Sequence, residues 1–454
     1  MIDGRSGHGR VFLDRALFFS VSYCHDRRHP YMFDGVFVFC RLSDGTGMGR
    51  KVIRRAYYLF FTVVLLAFGS VFAEDIRIVG SGGNHKISLS LAGFKVPAGD
   101  SGKLFKRTLR NDLKMSGWFN VIDKASTIVV AGRFSANGGK INVACDVRNA
   151  AMGKRYFSRG FTGKSSETRL LAHRVSDAIV YAVKGVPGIA SSRIAMITSR
   201  GGKKDIVICG ADGNDVVQLT RDGAPCLSPT WSPNGKMLYY TSFFKGFPDV
   251  YGIQLASGKR VRVASYPGIN AGADISPDGR KMALTLSKDG NPELYVRDMR
   301  SGKLTRLTKT GTAAEASPSW SPDGRKIVFV SDASGSPQIY IISSTGGRPR
   351  RVTFRGNENV SPDWGQNGMI AYSSRRRGRY QVCVQDPDKR VEKQLTSDYV
   401  DHEQPSWAPD GRHIAYARTE GYVSDVYVLD TLGDAQVRLT RFKGDWYSPA
   451  WSPK

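Results

Sequence analysis

Acidic residues near a recurring tryptophan motif, together with scattered histidines, are the side chains of this chain best suited to chemistry. Carboxylates can act as general acids and bases or bind calcium, and histidines can bind zinc. The acidic candidates all fall in loops close to the motif: Asp398, Asp401, Glu403, Glu315 and Asp445. The histidines lack the spacing of a zinc site: His85, His173, His402 and His413.

Short motifs of catalytic sites are missing from the sequence, namely those of serine nucleophiles, phosphate loops, dinucleotide sites and zinc proteases. A carboxylate in a repeated turn is more often a turn former than an acid catalyst. We therefore predict no catalytic residue, no metal site and no cofactor. Calcium at the loop carboxylates is kept as an alternative.

The tryptophan motif recurs through the C-terminal half and must position those loops. Its fullest copy is Pro318-Ser-Trp-Ser-Pro-Asp-Gly324. Successive copies are 44, 45, 44, 43 and 44 residues apart, and their aligned column is Trp231, Ile275, Trp320, Trp364, Trp407 and Trp451. A period of about 40 to 50 residues predicts a β-propeller with one four-stranded blade per repeat. We interpret the tryptophans as packing contacts between blades.

The ends of the repeat array predict how the ring closes. Within a repeat, Ser-Pro-Asp-Gly forms a tight turn, because Pro presets φ and Gly adopts a positive φ. An apolar strand such as Ile327–Val330 follows this turn. The first such strand, starting at Arg193, has no motif before it, and the last motif, ending at Pro453, has no strand after it. We predict six blades, closed by pairing of the C-terminal strand with the segment starting at Arg193.

The region before the propeller predicts export and a second domain. Residues 48–73 have the layout of a signal peptide, with an uncleaved anchor as the alternative. We interpret residues 1–47 as a misannotated upstream extension, with translation starting at Met48. Residues 74–187 predict a small α/β domain with two amphipathic helices, the second ended by Gly185. The propeller is expected at 188–454.

Charge and cysteine content leave few other constraints. The formal net charge is +26, from 66 basic and 40 acidic residues. This charge is compatible with nucleic acid, anionic lipid or an acidic polymer as a partner, but we interpret it as solvated surface, because propeller surfaces tolerate such a charge. Export argues against a nucleic-acid partner. We expect a monomer that does not bind nucleic acid. The cysteines after residue 73 are interpreted mainly as buried thiols, with Cys209 and Cys226 as the one pair to test for a disulfide.

The loops before each motif should present binding residues, since the innermost strands begin there around the central channel. Their small and polar residues, with few aromatics, favour a protein-docking surface over a dry catalytic pocket. The predicted binding residues at this propeller mouth are Ile269, Asn270, Ala271, Gly272, Glu315, Ala316, Ser317, Asn357, Asn359, Asp401, His402, Glu403 and Trp446.

The whole layout after Met48 resembles the TolB family: a signal peptide, a mature start at Glu74, an α/β domain and six blades ending at Trp451-Ser-Pro453. The resemblance implies a non-enzymatic periplasmic adaptor of the Tol-Pal system, acting in outer-membrane integrity and in envelope constriction during division. It also implies that the mouth binds the lipoprotein Pal through loops similar to Ile269–Gly272 and Glu315–Ser317. The segment resembling the TolA-binding segment is Glu74, Asp75, Ile76, Arg77, Ile78 and Val79.

This sequence departs from the family pattern at one predicted contact, since Ile269 stands where the enterobacterial pattern has a His before the Asn. Two other function classes stay open. An exported propeller hydrolase would need a converging acidic site or a catalytic domain. A nucleic-acid binder would use the positive charge, and its affinity would fall steeply with salt.

Overall fold

The structure of the protein is a computed structural model that describes residues 86–200 and 203–454. The predicted signal peptide, the predicted start at Met48 and the predicted TolA-binding segment Glu74–Val79 lie outside the described residues. Within the described ranges, no helix is both long and apolar enough to cross a bilayer.

The first described region is an α/β domain. Its sheet joins parallel pairing around Ile87–Ser90 to an antiparallel ladder at the other edge. The strands are Ile87–Ser90, Phe94–Lys95, Phe119–Ile122, Ile128–Asn137, Lys140–Asn149 and Lys154–Lys164. The helices are α1, Asp100–Met115, and α2, Thr168–Lys184, with a short 3-10 turn at Ser165–Glu167.

The predicted helical stripes form the core of this domain. Phe105, Leu109 and Leu113 of α1 are fully buried against the sheet. Helix α2 ends where the sequence predicted, because Gly185 adopts a φ of 75° and its N–H donates to the carbonyl of Tyr181 at 2.8 Å. The amphipathic patterns of both helices are thus explained by core packing.

The remaining chain forms six four-stranded antiparallel sheets, which confirms the predicted fold class. We number the blades by their innermost strands. Blade 1 contains Cys226–Trp231, Met237–Ser242, Asp249–Gln254 and Arg260–Ala264. Blade 2 contains Asn270–Ile275, Lys281–Leu286, Glu293–Asp298 and Leu304–Arg306. Blade 3 contains Glu315–Trp320, Lys326–Ser331, Gln338–Ser343 and Arg350–Arg351.

The last three blades complete the ring. Blade 4 contains Asn359–Trp364, Ile370–Arg376, Arg379–Gln385 and Glu392–Gln394. Blade 5 contains Asp401–Trp407, His413–Glu420, Val423–Asp430 and Val437–Arg438. Blade 6 contains Asp445–Trp451, Arg193–Arg200, Lys203–Gly210 and Val217–Gln218.

Blade 6 closes the ring as predicted, by pairing the two ends of the propeller. Trp451 lies opposite Ile194, and Tyr447 lies opposite Ile197. The Trp451 indole N–H donates to Ser192 Oγ at 2.7 Å, which fixes the end of the C-terminal strand. The closing strand therefore leaves no open edge at the seam.

The tryptophan column packs between blades. Trp231, Trp320, Trp407 and Trp451 are all buried. The indole of Trp231 donates to the carbonyl of Ala450, and that of Trp320 donates to the carbonyl of Asp274, so each bonds the preceding blade. These contacts support the interpretation of the motif as structural.

The four cysteines of the described residues are free and buried: Cys145, Cys209, Cys226 and Cys383. Cys209 and Cys226, the pair considered for a disulfide, do not form one. Burial raises the pKa of Cys209 to about 12 and that of Cys226 to about 11, so both are thiols at neutral pH.

Alternation of antiparallel strands gives the propeller two unlike faces. Connections between blades and hairpins between second and third strands share one face, which we call the mouth face. The Ser-Pro-Asp-Gly turns and the turns between third and fourth strands share the other, which we call the rear face. The α/β domain contacts rear-face residues, including Arg412 and Asp434.

Candidate functional site

A bulge in every innermost strand shapes the mouth of the channel. The pairing between the first two strands shifts register in all six blades. The bulged residue has φ between 45° and 57° in each blade: Ser228, Gly272, Ser317, Ser361, Gln404 and Ser448. A non-glycine residue in this region costs about 1 to 2 kcal/mol, so the fold keeps local strain around the channel mouth.

A series of hydrogen bonds joins the innermost strands of blades 2 to 5. Asp274 accepts the Trp320 N–H at 2.8 Å, and Asp363 accepts the Trp407 N–H at 2.6 Å. Ser319 accepts the Trp364 N–H between them at 3.1 Å. Burial raises the pKa of both carboxyl groups to about 6. These polar groups therefore hold blades together.

Glu315 is held inside the propeller. Its side chain is 1% exposed and accepts hydrogen bonds from Ser331 Oγ and Thr310 Oγ1, both at 2.9 Å. Thr310 also contacts the buried Glu293 carboxylate at 3.2 Å, so the two carboxyl groups are close neighbours. Burial, with the negative charge of Glu293, raises the pKa of Glu315 to about 8. Glu315 is therefore protonated at neutral pH.

The acidic residues of blade 5 form a separate group. His402 is fully buried and hydrogen-bonded to Asp398, and burial lowers its pKa. Burial and the neighbouring Asp401 raise the pKa of Glu403 to about 7. In the chain that the structure describes, no three mouth-face side chains bring ligand atoms close enough together to hold a metal ion. The calcium alternative thus has no such cluster on this face.

Exposed aromatic rings distinguish the mouth face from the rear face. Phe247 is 73% exposed, Tyr399 88% and Tyr422 77%. All exposed aromatics of the described propeller lie in mouth-face connections: Phe244, Phe247, Phe354, Tyr399, Tyr422 and Phe442. Exposed apolar residues in described rear-face turns are aliphatic, as at Leu432. The exposed rings of the described propeller thus lie on one of its two faces.

Arg412 ties the rear face to the α/β domain. Its guanidinium lies 2.9 Å from both carboxylate oxygens of Asp430 and donates to the carbonyl of Gly117 at 3.0 Å. It also stacks 4.2 Å from the ring centre of Trp118. Burial opposes ionisation of Asp430, but the hydrogen bond from Arg412 and the carboxylate's other favourable contacts together outweigh it and lower the pKa of Asp430. This charge pair is buried in the interface.

A second buried ionic cluster lies at the same interface. His173 Nδ1 of α2 lies 2.7 Å from Asp112 of α1, and its Nε2 lies 3.7 Å from Asp212 of the propeller. Burial opposes the charged form of His173, but Asp112 outweighs it and raises the His173 pKa. Ligand atoms of these three residues lie within 4.8 Å of one another. Arg169 also pairs with Asp212 and would repel a metal cation there.

A family model decides the relationship of this chain to known proteins. The model described as "TolB beta propeller domain" matches residues 181–454, more than half of the chain. The chain belongs to the TolB family.

Individual TolB proteins agree with this assignment. "Protein TolB homolog" of Chlorobium chlorochromatii is 32% identical over 58% of this chain and 65% of its own length. "Tol-Pal system protein TolB" of Alcanivorax borkumensis is 35% identical over 38% of this chain and 40% of its own. The chain thus spans 40% of the length of one relative and 65% of the other.

One solved TolB structure matches the described architecture closely. The crystal structure of TolB from Acinetobacter baumannii has a TM-score of 0.73 and is 28% identical in sequence. The match covers 81% of this chain and 97% of that chain. It therefore includes more than the propeller.

The predicted binding residues of this TolB family member divide into two sets. Those with accessible surface on the mouth face are Ile269, Ala271, Gly272, Ser317, Asn357, Asp401 and Glu403. Those that are buried are Asn270, Glu315, Ala316, Asn359, His402 and Trp446. Only the first set can touch a partner without rearrangement. The second set can act by holding the loops in place.

Most of the buried residues share one position, five residues before the tryptophan column. Cys226 occupies it in blade 1. Asn270 accepts the Tyr266 N–H and donates to the Tyr266 carbonyl, both at 2.7 Å, and so pins its loop. Asn359 donates to Gln338 at 2.8 Å and to the Arg355 carbonyl at 2.9 Å. This position carries five residue types in six blades and anchors the connection between blades at both asparagines.

The exposed aromatics are the functional candidates that the sequence interpretation missed. The sequence prediction placed the binding residues only in the loops before each motif, where aromatics are few. Phe244, Phe247 and Tyr422 belong to hairpins between second and third strands. Those hairpins reach the same face because antiparallel strands alternate direction, and this signal was available from the strand order.

Proposed function

We propose that this chain is an exported adaptor of the Tol-Pal system, which binds the lipoprotein Pal at the mouth face of its propeller. The observation that carries the proposal is that, within the described propeller, the exposed aromatic rings are confined to that face. Membership of the TolB family and the printed name "Tol-Pal system protein TolB" of a relative support the choice of system.

The remaining parts of the proposal come from the family resemblance. The mature segment Glu74–Val79 binds TolA, and residues 48–73 direct export to the periplasm, with the α/β domain at 74–187 and the propeller at 188–454. The protein acts in outer-membrane integrity and in constriction of the envelope during division. The proposed role is binding and not catalysis, which is supported by the family membership and by the missing catalytic motifs of the sequence.

A pull-down from envelope extracts tests the docking proposal. The bait is the purified chain, and the expected prey is a peptidoglycan-anchored lipoprotein. The test variant carries Phe247→Ala, Tyr399→Ala and Tyr422→Ala, and we expect at least a tenfold loss of recovered lipoprotein. The loss follows from removing exposed rings at a docking face.

A matched control removes three exposed apolar side chains from the α/β domain, through Met152→Ala, Leu170→Ala and Tyr181→Ala. This control should recover the lipoprotein as well as the unmodified chain. Equal recovery by the mouth-face variant and the unmodified chain would rule out the mouth as the docking surface.

A further inference from the structure

A cleft rich in arginine lies on the mouth face of blade 4. Its volume is about 510 Å³, within the usual range for ligand sites. Four arginines from a single hairpin line it: Arg375, Arg376, Arg377 and Arg379. We call it the arginine cleft. Asp398 is the one carboxylate among its lining residues, and Tyr399 stands at its edge.

The hairpin carries an arginine at its tip in a strained conformation. Arg376 pairs with Arg379, so the turn consists of Arg377 and Gly378, with φ of 50° and 83°. Such a turn favours Asn before Gly, because a larger side chain is strained at positive φ. Arg377 is exposed, and it makes no ion pair among the described residues. The chain thus holds a charge where turn chemistry disfavours it.

Like charges also face each other across this hairpin. Arg376 and Arg379 are direct cross-strand neighbours, an arrangement that destabilises a strand pair. Arg376 pairs with Glu392 at 2.7 Å, and Arg379 pairs with Asp401 at 3.0 Å.

The carboxylates that balance these arginines do not line the cleft. They can orient the guanidinium groups from outside while the cleft keeps an excess of donors. The carboxylate within the cleft, Asp398, is already engaged by His402 and lies 3.5 Å from Arg418. An incoming anion would therefore meet mainly positive charge.

We propose that the arginine cleft binds an acidic segment of a protein partner, with carboxylate side chains entering between the guanidinium groups. Guanidinium groups bind carboxylates through paired hydrogen bonds, which suits this chemistry better than a lone ammonium would. Tyr399, which is 88% exposed, offers a ring for packing beside the acidic side chains. The inference rests on the proposed function in one respect, namely that the acidic segment belongs to a protein that docks on the mouth face.

The test measures binding of fluorescein-labelled hexaglutamate to the purified full chain by fluorescence anisotropy. Arg377→Glu is the first variant, because that side chain is exposed and its loss breaks no ion pair. The matched control is Arg325→Glu, which reverses an exposed arginine in a rear-face turn. We expect Arg377→Glu to weaken binding at least fivefold and Arg325→Glu to change it less than twofold. Adding Arg379→Gln to Arg377→Glu should bring the loss beyond tenfold.

Three results would overturn the proposal. One is no measurable binding of hexaglutamate by the unmodified chain. Another is equal weakening by Arg377→Glu and Arg325→Glu, which would indicate attraction to overall charge. The third is displacement of hexaglutamate by inorganic phosphate at equal carboxylate and phosphate concentrations, which would indicate a site for small anions.

The outcome for the cleft is separable from the outcome for the proposed function. Selective hexaglutamate binding with no lipoprotein in the pull-down would retain the cleft and reject the Pal proposal. Recovery of the lipoprotein, with hexaglutamate binding weakened equally by Arg377→Glu and Arg325→Glu, would support the Pal proposal and reject the cleft. A thermal melt of each variant confirms that it is folded.

Discussion

Two arginine sites on opposite faces of the propeller use charge in opposite ways. On the rear face, Arg412 is buried between Asp430, Trp118 and the carbonyl of Gly117. On the mouth face, Arg377 is exposed and Arg375, Arg376 and Arg379 line an open cleft. The same residue type therefore stabilises the chain on one side and remains available to a partner on the other.

Local backbone explains part of this difference. Gly117, with a φ of 70°, leaves no side chain where the Arg412 guanidinium lies, and a Cβ there would clash with it. The α/β domain thus leaves room at Gly117 for the charge of a rear-face arginine. The mouth face does the opposite at Arg377, where a left-handed turn position carries a long side chain. Stability and binding make different demands on the two faces.

The largest effect on stability is expected for Arg412→Ala. Removing one partner of a buried ion pair leaves the other uncompensated and typically costs about 3 to 5 kcal/mol. We expect a loss of this size in denaturant unfolding, and Arg377→Ala on the mouth face is the control, with almost no change. Similar losses for both variants would remove the distinction between the faces.

The second effect concerns His173→Gln and depends on pH. The folded-state pKa of His173 is raised above its ordinary value of 6.5, and that of Asp112 is raised from 3.8 by burial. Both shifts mean that the folded chain holds protons more tightly than the unfolded chain does. The histidine contribution is therefore full below pH 6.5 and is lost as pH rises through the raised pKa.

Thermal melts across this pH range measure the effect. At pH 6, His173→Gln should lose about 1.5 to 3 kcal/mol, the usual contribution of a hydrogen bond to a charged group. The difference in stability between the variant and the unmodified chain should become smaller at higher pH. A gap that is constant with pH would show that the histidine acts only by packing.

The third effect concerns Glu315→Gln, which tests a buried carboxyl group near the mouth face. Its pKa is raised from 4.5 to about 8, so between these pH values the unfolded chain loses this proton while the folded chain keeps it, and stability falls as pH rises. Relative to the unmodified chain, the variant should gain stability as pH rises from 5 to 9, by at most about 1.4 kcal/mol per pH unit below pH 8 and with little further change above it. Chemical unfolding at the two pH values provides the measurement. A variant that becomes relatively less stable at high pH would contradict the assignment of a protonated Glu315.

The smallest stability effect is expected for the mouth-face variant with Phe247→Ala, Tyr399→Ala and Tyr422→Ala. Exposed side chains away from buried contacts usually change stability by less than about 0.5 kcal/mol each. Thermal melts should nearly overlap with those of the unmodified chain, although lipoprotein recovery falls. A large loss of stability would mean that these rings belong to the packed structure.

The repeat pattern predicted the architecture because it encodes local and periodic packing. One tryptophan position per blade must fill the same gap in every interface, so its spacing gives the blade number. The pattern did not predict strand Lys154–Lys164, whose side chains are largely exposed and show no apolar run. Such an edge strand is specified by its neighbour Lys140–Asn149 more than by its own composition.

The sequence alone therefore determined the six blades, the closure between the C-terminal strand and the segment at Arg193, and the two amphipathic helices. These features follow from spacing and local backbone preference. Tertiary structure alone decided that Asn270 and Glu315 point inward while Phe247 and Tyr399 are exposed. It also brought Arg412 to Gly117, 295 residues away along the chain. Burial and charge pairing depend on which distant segments become neighbours, and no local pattern records that choice.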